Sequence, residues 1–228
     1  MDVVEAIGKR KSVRAFKPDP VSLDMLKEIV EQALRAPSWA NTQPWEFAVV
    51  TGSLLKEIQE GFLEKGDEAP YPDVARPYEF PEPYMSRLQA LTPKNLEMTR
   101  EEYQKFRQVQ NRRNYGAPAV IYVLVDRSFF HQAQGINVWP LYDCGAVVEN
   151  IMLLAAHHGL GTIAQAQAVI YPDIIRKVLG MDKSKLIALG IAVGHPDWDH
   201  VGNQTRTQRE PLDRVATWYG FGSKKVDG

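Results

Sequence analysis

One segment of the sequence constrains the fold more than any other: the run "APAVIYVLVD" at residues 117–126 is apolar at nearly every position. Such a run is far too short to span a bilayer and is typical of a strand that is covered on both faces. "KLIALGIAVGHP" at residues 185–196 predicts a second buried strand, and "LYDCGAVVENIMLLAAHHG" at residues 141–159 predicts a long core helix closed by Gly159. Strands interspersed with helices indicate an α/β or α+β domain and leave the strand order open.

The N-terminal part predicts two helices and a strand. A short first helix stops near Gly8, and a second helix with an apolar stripe starts at its N-cap Ser22 and ends before Pro37. "WEFAVVTG" at residues 45–52 predicts a strand, and a short helix follows from Ser53.

The character of the chain changes between about residues 66 and 99. Prolines and aromatic residues alternate there: Pro70, Tyr71, Pro72, Pro77, Tyr78, Phe80, Pro81, Pro83, Tyr84 and Pro93. Disordered linkers are poor in aromatic residues, and long ordered loops are usually lids or binding loops. We therefore predict a single domain, residues 1–228, with a lid-like insertion at about 66–99. "REEYQKFRQVQNRR" at residues 100–113 then predicts an exposed helix.

Composition and motifs exclude several classes of function. The net charge of -1 and the pI near 6.5 argue against a dedicated nucleic-acid binder. The single cysteine, Cys144, rules out an intramolecular disulfide, and the N-terminus lacks the apolar run of a signal peptide, so we expect a cytoplasmic protein with no membrane partner. There is no GxGxxG or Walker A sequence, and the five histidines lack metal-ligand spacing. Chemistry that comes from a bound cofactor is consistent with this pattern.

The run "GKRKSVRAF", residues 8–16, carries a candidate anion site. In an extended chain Arg10, Ser12 and Arg14 share one face, while Lys9 and Lys11 are left to solvent. Two guanidinium groups and a hydroxyl suit a phosphate, because such contacts are charge-assisted and can be bidentate. On its own the run also fits a solvated basic surface.

Three further stretches allow both a functional and a structural interpretation. "APSWANTQPWEF" at 36–47 could hold a planar heterocycle through the amides of Asn41 and Gln43, or could simply be a turn whose tryptophans fill the core. "GLGTIAQAQA" at 159–168 allows close backbone approach to a flat ligand, or caps a helix before a strand. "RTQREPLDRV" at 206–215 could add positive charge, or be an exposed tail.

Together these stretches resemble the nitroreductase family of FMN-dependent oxidoreductases. "RKSVRAF" is followed by "APSWANTQPWEFAVV", and "ENIMLLAAHHGLGT", "GIAVGHP" and "REPLDRV" follow in the family's order. The insertion and the helix after it look most like the nitrobenzoate-reductase branch. The resemblance implies an α+β, nitroreductase-like fold: a central, mostly antiparallel sheet flanked by helices, in an intertwined homodimer with FMN at the interface.

The resemblance also implies roles for individual residues. Arg10, Ser12 and Arg209 would hold the ribityl-phosphate end of FMN, and Arg14 would reach the pyrimidine edge and tune the flavin. Ser38, Asn41 and Gln43 would come from the partner subunit, and the strand after the long helix would contact the ring largely through its backbone. The predicted cofactor set is Arg10, Lys11, Ser12, Arg14, Pro37, Ser38, Trp39, Asn41, Gln43, Gln110, Arg113, Ala164, Gln165, Ala166, Arg206 and Arg209.

Two positions depart from the family's pattern. Ala166 stands where many relatives carry an acidic residue, and Thr207 stands where some carry a second basic residue, for which Arg206 is the candidate replacement.

The resemblance implies a ping-pong reaction without a protein nucleophile. NADH or NADPH would reduce the flavin, and a nitroaromatic, a quinone or a similar flat electrophile would reoxidise it. The alternatives are another flavin reaction on the same fold (reductive dehalogenation, ene reduction or flavin breakdown) and a non-catalytic flavin binder.

Overall fold

The computed structural model describes residues 1–75, 77, 79–91, 98–130 and 137–221. Within these ranges the chain forms one four-stranded sheet and eight α-helices. The strands are β1 (Trp45–Thr51), β2 (Ala119–Asp126), β3 (Gly161–Gln165) and β4 (Lys185–Gly194). The helices are α1 (Val3–Lys9), α2 (Leu23–Ala33), α3 (Gly52–Glu64), α4 (Tyr84–Gln89), α5 (Arg100–Arg112), α6 (Trp139–His157), α7 (Pro172–Leu179) and α8 (Leu212–Val215).

The sheet has the order β1-β2-β4-β3, and each neighbouring pair is antiparallel. This pairing decides between the two fold classes that periodicity left open: the domain is α+β. It also confirms the central antiparallel sheet that the resemblance implied.

Strand β2 lies between two apolar layers, as its sequence predicted. Ala119, Ile121, Val123 and Val125 alternate onto the face that α2 and α6 cover, with Leu26, Ile29, Val147 and Ile151 in the same cluster. Val120, Tyr122 and Leu124 point to the opposite face, where Leu55, Ile58 and Phe62 of α3 and Ile175 of α7 pack. Because both faces are covered, each β2 residue before Asp126 is buried.

The helix boundaries largely follow the sequence signals. Ser22 caps α2 by accepting a hydrogen bond from the Met25 amide at 3.2 Å. The helix ends at Ala33, before Pro37 is reached, because a tightened last turn bonds the Ala36 amide to the Ala33 carbonyl at 3.0 Å. Helix α6 starts at Trp139, two residues earlier than predicted. Pro140 is tolerated in the first turn, because the amide hydrogen that proline lacks would have no partner within the helix there.

The segment predicted to be an insertion is anchored at its start. The Tyr71 amide donates to the Ile170 carbonyl at 3.1 Å, and the Asp73 carboxylate accepts from Arg176 and from the Ile187 amide. Helix α4 follows. Tyr78 and Pro93, which were part of the predicted insertion, lie outside the described residues, and the lid role remains a prediction.

In the described part of the chain, no helix is long and apolar enough to cross a membrane.

Candidate active site

The basic run leaves α1 in extended form and lies beside strand β3. Ser12 forms a parallel bridge with Thr162, and the Val13 amide donates to the Thr162 carbonyl at 2.9 Å. Val13 is buried against Gly161, where a β-carbon on the glycine would lie 2.6 Å from Val13 Cγ2. The predicted alternation is therefore present, with Val13 inside and its two neighbours partly exposed.

The other face of this run forms a cavity of about 420 Å³, which we call the basic pocket. Its walls combine the N-terminal run with the C-terminal tail: Ile7, Gly8, Arg10, Lys11, Ser12, Arg14, Glu149, Thr205, Arg206, Thr207 and Arg209. Five lining side chains are cationic and one, Glu149, is a carboxylate. This excess of positive charge, with a serine hydroxyl beside it, is the donor set that a phosphate monoester requires.

Neighbouring groups orient the pocket's arginines. Arg10 Nε lies 3.3 Å from Glu149 Oε1, and Arg206 donates to the Gly8 carbonyl. Arg209 Nη1 donates to Thr207 Oγ1 at 2.9 Å, so this threonine positions the guanidinium. Arg206 lines the same pocket.

Buried Asn203 holds the backbone of the basic run. Its Oδ1 accepts from the Arg14 amide at 2.7 Å, and its Nδ2 donates to the Ala15 carbonyl at 2.8 Å. Its carbonyl also accepts from Lys11, whose ammonium lies over the Trp198 ring at 4.7 Å. Our expectation that Lys11 is left to solvent is therefore wrong: the residue is half-buried, because the tail folds back over it. A single asparagine in a polar tail gave no sequence signal for this role.

A second cavity of about 600 Å³ adjoins the basic pocket and shares Arg14, Thr205 and Thr207 with it. We call it the aromatic cavity. Its remaining lining residues are Ala15, Phe16, Leu91, Tyr103, Phe106, Arg107, Gln110, Tyr115, Asp197, His200, Val201 and Gly202. Sequence reasoning identified Gln110 but missed the other α5 members, although residues 103, 106, 107 and 110 have the spacing of one helix face.

Strand β3 ends between two exposed alanines. Ala164 and Ala166 are exposed, while the Gln165 side chain is buried. Gln165 accepts from Asn114 Nδ2 at 3.2 Å and donates to Asn111 Oδ1 at 3.2 Å, so its amide is directed into the protein. Asn114 and Tyr115 both have positive φ, a strained geometry that clusters at functional sites. Arg113 is the C-cap residue of α5. In the described structure it lines neither the basic pocket nor the aromatic cavity.

The segment from Pro37 to Gln43 is an exposed loop that lines neither cavity of its own chain, as far as the structure describes it. Buried Asp143 of α6 accepts from the Trp39 amide at 3.1 Å, and Ser38 Oγ accepts from the Gln43 amide at 3.0 Å. Ala40, Asn41 and Gln43 have positive φ. Trp45 is buried, as the structural interpretation expected, but Trp39 is 64% exposed and fills no core.

In the described part of the chain, neither the single cysteine nor a cluster of metal ligands offers a reactive centre. Burial, together with the charge of Asp143, raises the pKa of the Cys144 thiol to about 12, so the thiolate is absent at neutral pH. Among the described residues, no group of three or more His, Cys, Asp or Glu side chains could hold a metal ion.

Comparisons with known proteins agree with this geometry. The family model described as "Nitroreductase family" matches residues 7–195. The chain is 30% identical over 226 residues to a 4-nitrobenzoate reductase of Nocardioides sp. (strain LMS-CY), covering 92% of this chain and 86% of that protein. The crystal structure of the FMN and NADPH-dependent nitroreductase NfnB from Sphigopyxis sp. strain HMH matches with a TM-score of 0.85 at 29% identity, over 97% of this chain and all of that one. The NfnB of Mycobacterium smegmatis, solved in complex with NADPH, matches with a TM-score of 0.81 at 26% identity, over 95% and 99% of the two chains.

Proposed function

The chain belongs to the nitroreductase family, and we propose that it is an FMN-dependent oxidoreductase that takes electrons from NADH or NADPH and passes them to a nitroaromatic, a quinone or a similar flat electrophile. One observation carries the proposal. The basic pocket, built mainly from the N-terminal run and the C-terminal tail, shares Arg14 with an adjoining cavity that has aromatic walls. A phosphate site beside a flat apolar site is what a flavin mononucleotide and its second substrate need.

The donor set fits the phosphate end of FMN. We propose that Arg10, Ser12 and Arg209 bind the phosphate, with Lys11 and Arg206 adding charge to the same pocket. Guanidinium groups suit this role because their donors can pair two phosphate oxygens at once. Exposed Ala164 and Ala166 leave the β3 edge open to the flat ring, and the backbone of Gln165 lies between them. Gln110 of the aromatic cavity and Arg113 at the end of α5 remain proposed polar contacts.

When bound, FMN would supply the hydride-transfer chemistry that links the nicotinamide to the acceptor in a ping-pong reaction. The protein's part is binding and electrostatics. Arg14 places a permanent positive charge at the junction of the two cavities and favours negative charge that develops beside it. Phe16, Tyr103, Phe106 and Tyr115 line the adjoining space and would exclude water from it.

We further propose an intertwined homodimer, in which the loop from Pro37 to Gln43 completes the partner's site. In the described structure Pro37, Ser38, Trp39, Asn41 and Gln43 line neither cavity of their own chain. The loop backbone has positive φ at Ala40, Asn41 and Gln43, and Asp143 fixes it through the Trp39 amide. Large apolar side chains on α1, α6 and the tail are exposed in the isolated chain and would be covered by a second copy. They are Val3, Val4, Ile7, Trp139, Tyr142, Trp218, Tyr219 and Phe221.

The insertion is proposed as a lid over the acceptor. Leu91 lines the aromatic cavity, and Arg87 Nε lies 3.0 Å from Glu210 Oε1, next to Arg209 of the basic pocket. The insertion thus contacts both the cavity and the tail that we propose to bind the cofactor.

We propose a cytoplasmic location, where both nicotinamide cofactors are available.

The test is the colour and the redox behaviour of the purified protein. It should be yellow, with absorbance near ~450 nm that NADH or NADPH bleaches under anaerobic conditions. Stopped-flow mixing of the bleached protein with nitroaromatics and quinones should restore the colour. A colourless protein that cannot be reconstituted with FMN would refute the proposal. A protein that bleaches but is reoxidised by neither class would instead carry out another flavin reaction, and one that never bleaches would be a flavin binder.

A further inference from the structure

Helix α5 presents one face to the aromatic cavity, and that face carries a charge that the proposed function does not use. Tyr103, Phe106, Arg107 and Gln110 follow the spacing i, i+3, i+4 and i+7 and line the same wall. Phe16, Leu91 and Tyr115 line the cavity as well, so its character is mainly aromatic and apolar. Arg107 is the cation that α5 contributes to this wall.

Among the described residues, no carboxylate pairs with Arg107. In the part of the chain that the structure describes, Arg107 has no carboxylate oxygen within 4.0 Å of its guanidinium nitrogens. Arg87, Arg127 and Arg176, by contrast, each have such a partner. A half-buried guanidinium without a counter-ion beside apolar walls is poised to bind an anion, because water competes less there than at an open surface.

Asp197, His200 and Arg14, which also line the cavity, each have a further contact or a second cavity to face. Asp197 is the carboxylate among its described lining residues, and its Oδ1 accepts from the Asp199 amide at 3.2 Å within its own loop. His200 Nδ1 accepts from the Gly202 amide at 3.0 Å. Arg14 also faces the basic pocket, where we place the cofactor. Among the described lining residues, Arg107 is thus the cation that faces the aromatic cavity and not the basic pocket.

The surroundings of Arg107 favour a planar anion over a spherical one. The guanidinium carbon lies 5.8 Å from the centre of the Tyr103 ring, an arrangement in which the ring supports the flat cation. Two parallel guanidinium donors match the two oxygens of a carboxylate. Tyr103 and Phe106, which both precede Arg107 in α5 and line the same cavity, supply faces for an aromatic ring.

We infer that the aromatic cavity selects acceptors that combine a flat aromatic ring with a carboxylate, and that Arg107 binds this carboxylate. The inference rests on the proposed function, because it concerns the second substrate of that reaction. Arg107 is then a specificity-determining residue: it fixes which end of the acceptor lies against α5 and so favours nitrobenzoates over uncharged nitroaromatics.

The test compares two acceptors in two variants of the FMN-loaded enzyme. Arg107→Gln removes the cavity's charge, and Lys105→Gln is the matched control, because Lys105 is an exposed cation of the same helix that pairs with Glu101 at 3.0 Å. The measured quantity is the ratio of kcat/KM for 4-nitrobenzoate to that for nitrobenzene. We expect Arg107→Gln to lower this ratio about tenfold or more, the size of a lost charge-assisted hydrogen bond. Lys105→Gln should keep the wild-type ratio.

A second measurement needs no turnover. Benzoate and benzamide, which differ in charge but little in shape, can be titrated into the oxidised holoenzyme and followed by the flavin absorbance. Arg107→Gln should lower the ratio of benzoate to benzamide affinity about tenfold, and Arg107→Lys should recover part of it. A merely structural role would weaken both ligands equally and leave the ratio unchanged.

Several outcomes would overturn the inference. An unchanged ratio in Arg107→Gln, or an equal change in Lys105→Gln, would show that Arg107 does not bind the carboxylate. A rise in KM for NADPH but not for NADH, with the acceptor ratio intact, would show that Arg107 binds the nucleotide's phosphate instead. In each case the wild-type protein still binds FMN and is bleached by NAD(P)H, whereas failure of the proposed function would appear as loss of those two properties.

Discussion

Val13 and Gly161 lie in direct contact: a β-carbon built on Gly161 would be 2.6 Å from Val13 Cγ2 and 3.1 Å from Val13 Cβ. The contact joins the basic run to the start of β3. It allows Ser12 to bridge Thr162 while Arg10 and Arg14 face the basic pocket. The glycine is therefore required by close approach of two segments that are distant in sequence.

We expect Gly161→Ala to destabilise the protein by about 1–3 kcal/mol, because the added methyl overpacks a buried contact. Removing the Val13 methyl groups should relieve much of this clash. In a double-mutant cycle measured by urea unfolding, Gly161→Ala with Val13→Ala should cost at least about 1 kcal/mol less than the sum of the single variants. Additive costs would mean that the two residues do not compete for the same space.

Arg10→Ala and Arg209→Ala should each weaken FMN binding about tenfold to a hundredfold, since each removes a charge-assisted contact with the phosphate. Lys9→Ala is the matched control: Lys9 adjoins Arg10 but pairs with Glu5 on the surface. Fluorescence titration of the apoprotein with FMN gives the dissociation constants. Unchanged affinity in both arginine variants would contradict the phosphate assignment.

Stability in acid should depend on Asp126. The Lys185 ammonium, 2.8 Å from the Asp126 carboxylate, and the hydrogen bonds from Ser128 hold the pKa of Asp126 well below its usual range. A lowered pKa stabilises the folded protein above the ordinary aspartate pKa, and this contribution is lost as the pH falls through the folded-state value. The difference in the free energy of unfolding between wild type and Asp126→Asn should thus stay constant from about pH 7 to pH 5 and shrink below about pH 4.

The matched control for Asp126 is Asp19→Asn, at an exposed aspartate that forms no ion pair in the described ranges. The difference in the free energy of unfolding between wild type and Asp19→Asn should not shrink in the same way below about pH 4. If Asp126→Asn keeps a constant difference down to pH 2, the carboxylate is not stabilised by Lys185.

Cys144 should be unreactive in the folded protein. Its thiol is buried, and burial raises its pKa to about 12, so little thiolate is present at pH 8. A thiol reagent such as dithionitrobenzoate should label the native protein far more slowly than the urea-unfolded protein. Rapid stoichiometric labelling of the native form would show that α6 exposes this side chain.

Much of the site could be predicted from local sequence. The alternation in the basic run predicted that Arg10, Ser12 and Arg14 share one face, and the three line one cavity. The small residues after Gly159 pointed to the end of β3, where Ala164 and Ala166 are exposed. Lys11 was misplaced and Asn203 was missed for the same reason, because the tail covers the run from almost two hundred residues away. Arg107 was also missed, since a charged residue on an exposed helix gives no sign of which face meets a cavity.

The sequence by itself determined the elements: β2 and α6 from their apolar runs, α2 from its stripe and its Ser22 cap, and the chemistry of the basic run from its residue types. Only the tertiary structure decided that each neighbouring strand pair is antiparallel, that Arg206 and Arg209 share a pocket with Arg10, and that α5 lines the adjoining cavity. The physical reason is the sequence distance over which each interaction acts. Periodicity and capping act within a few residues, whereas strand pairing and pocket closure depend on packing between segments that no local pattern specifies.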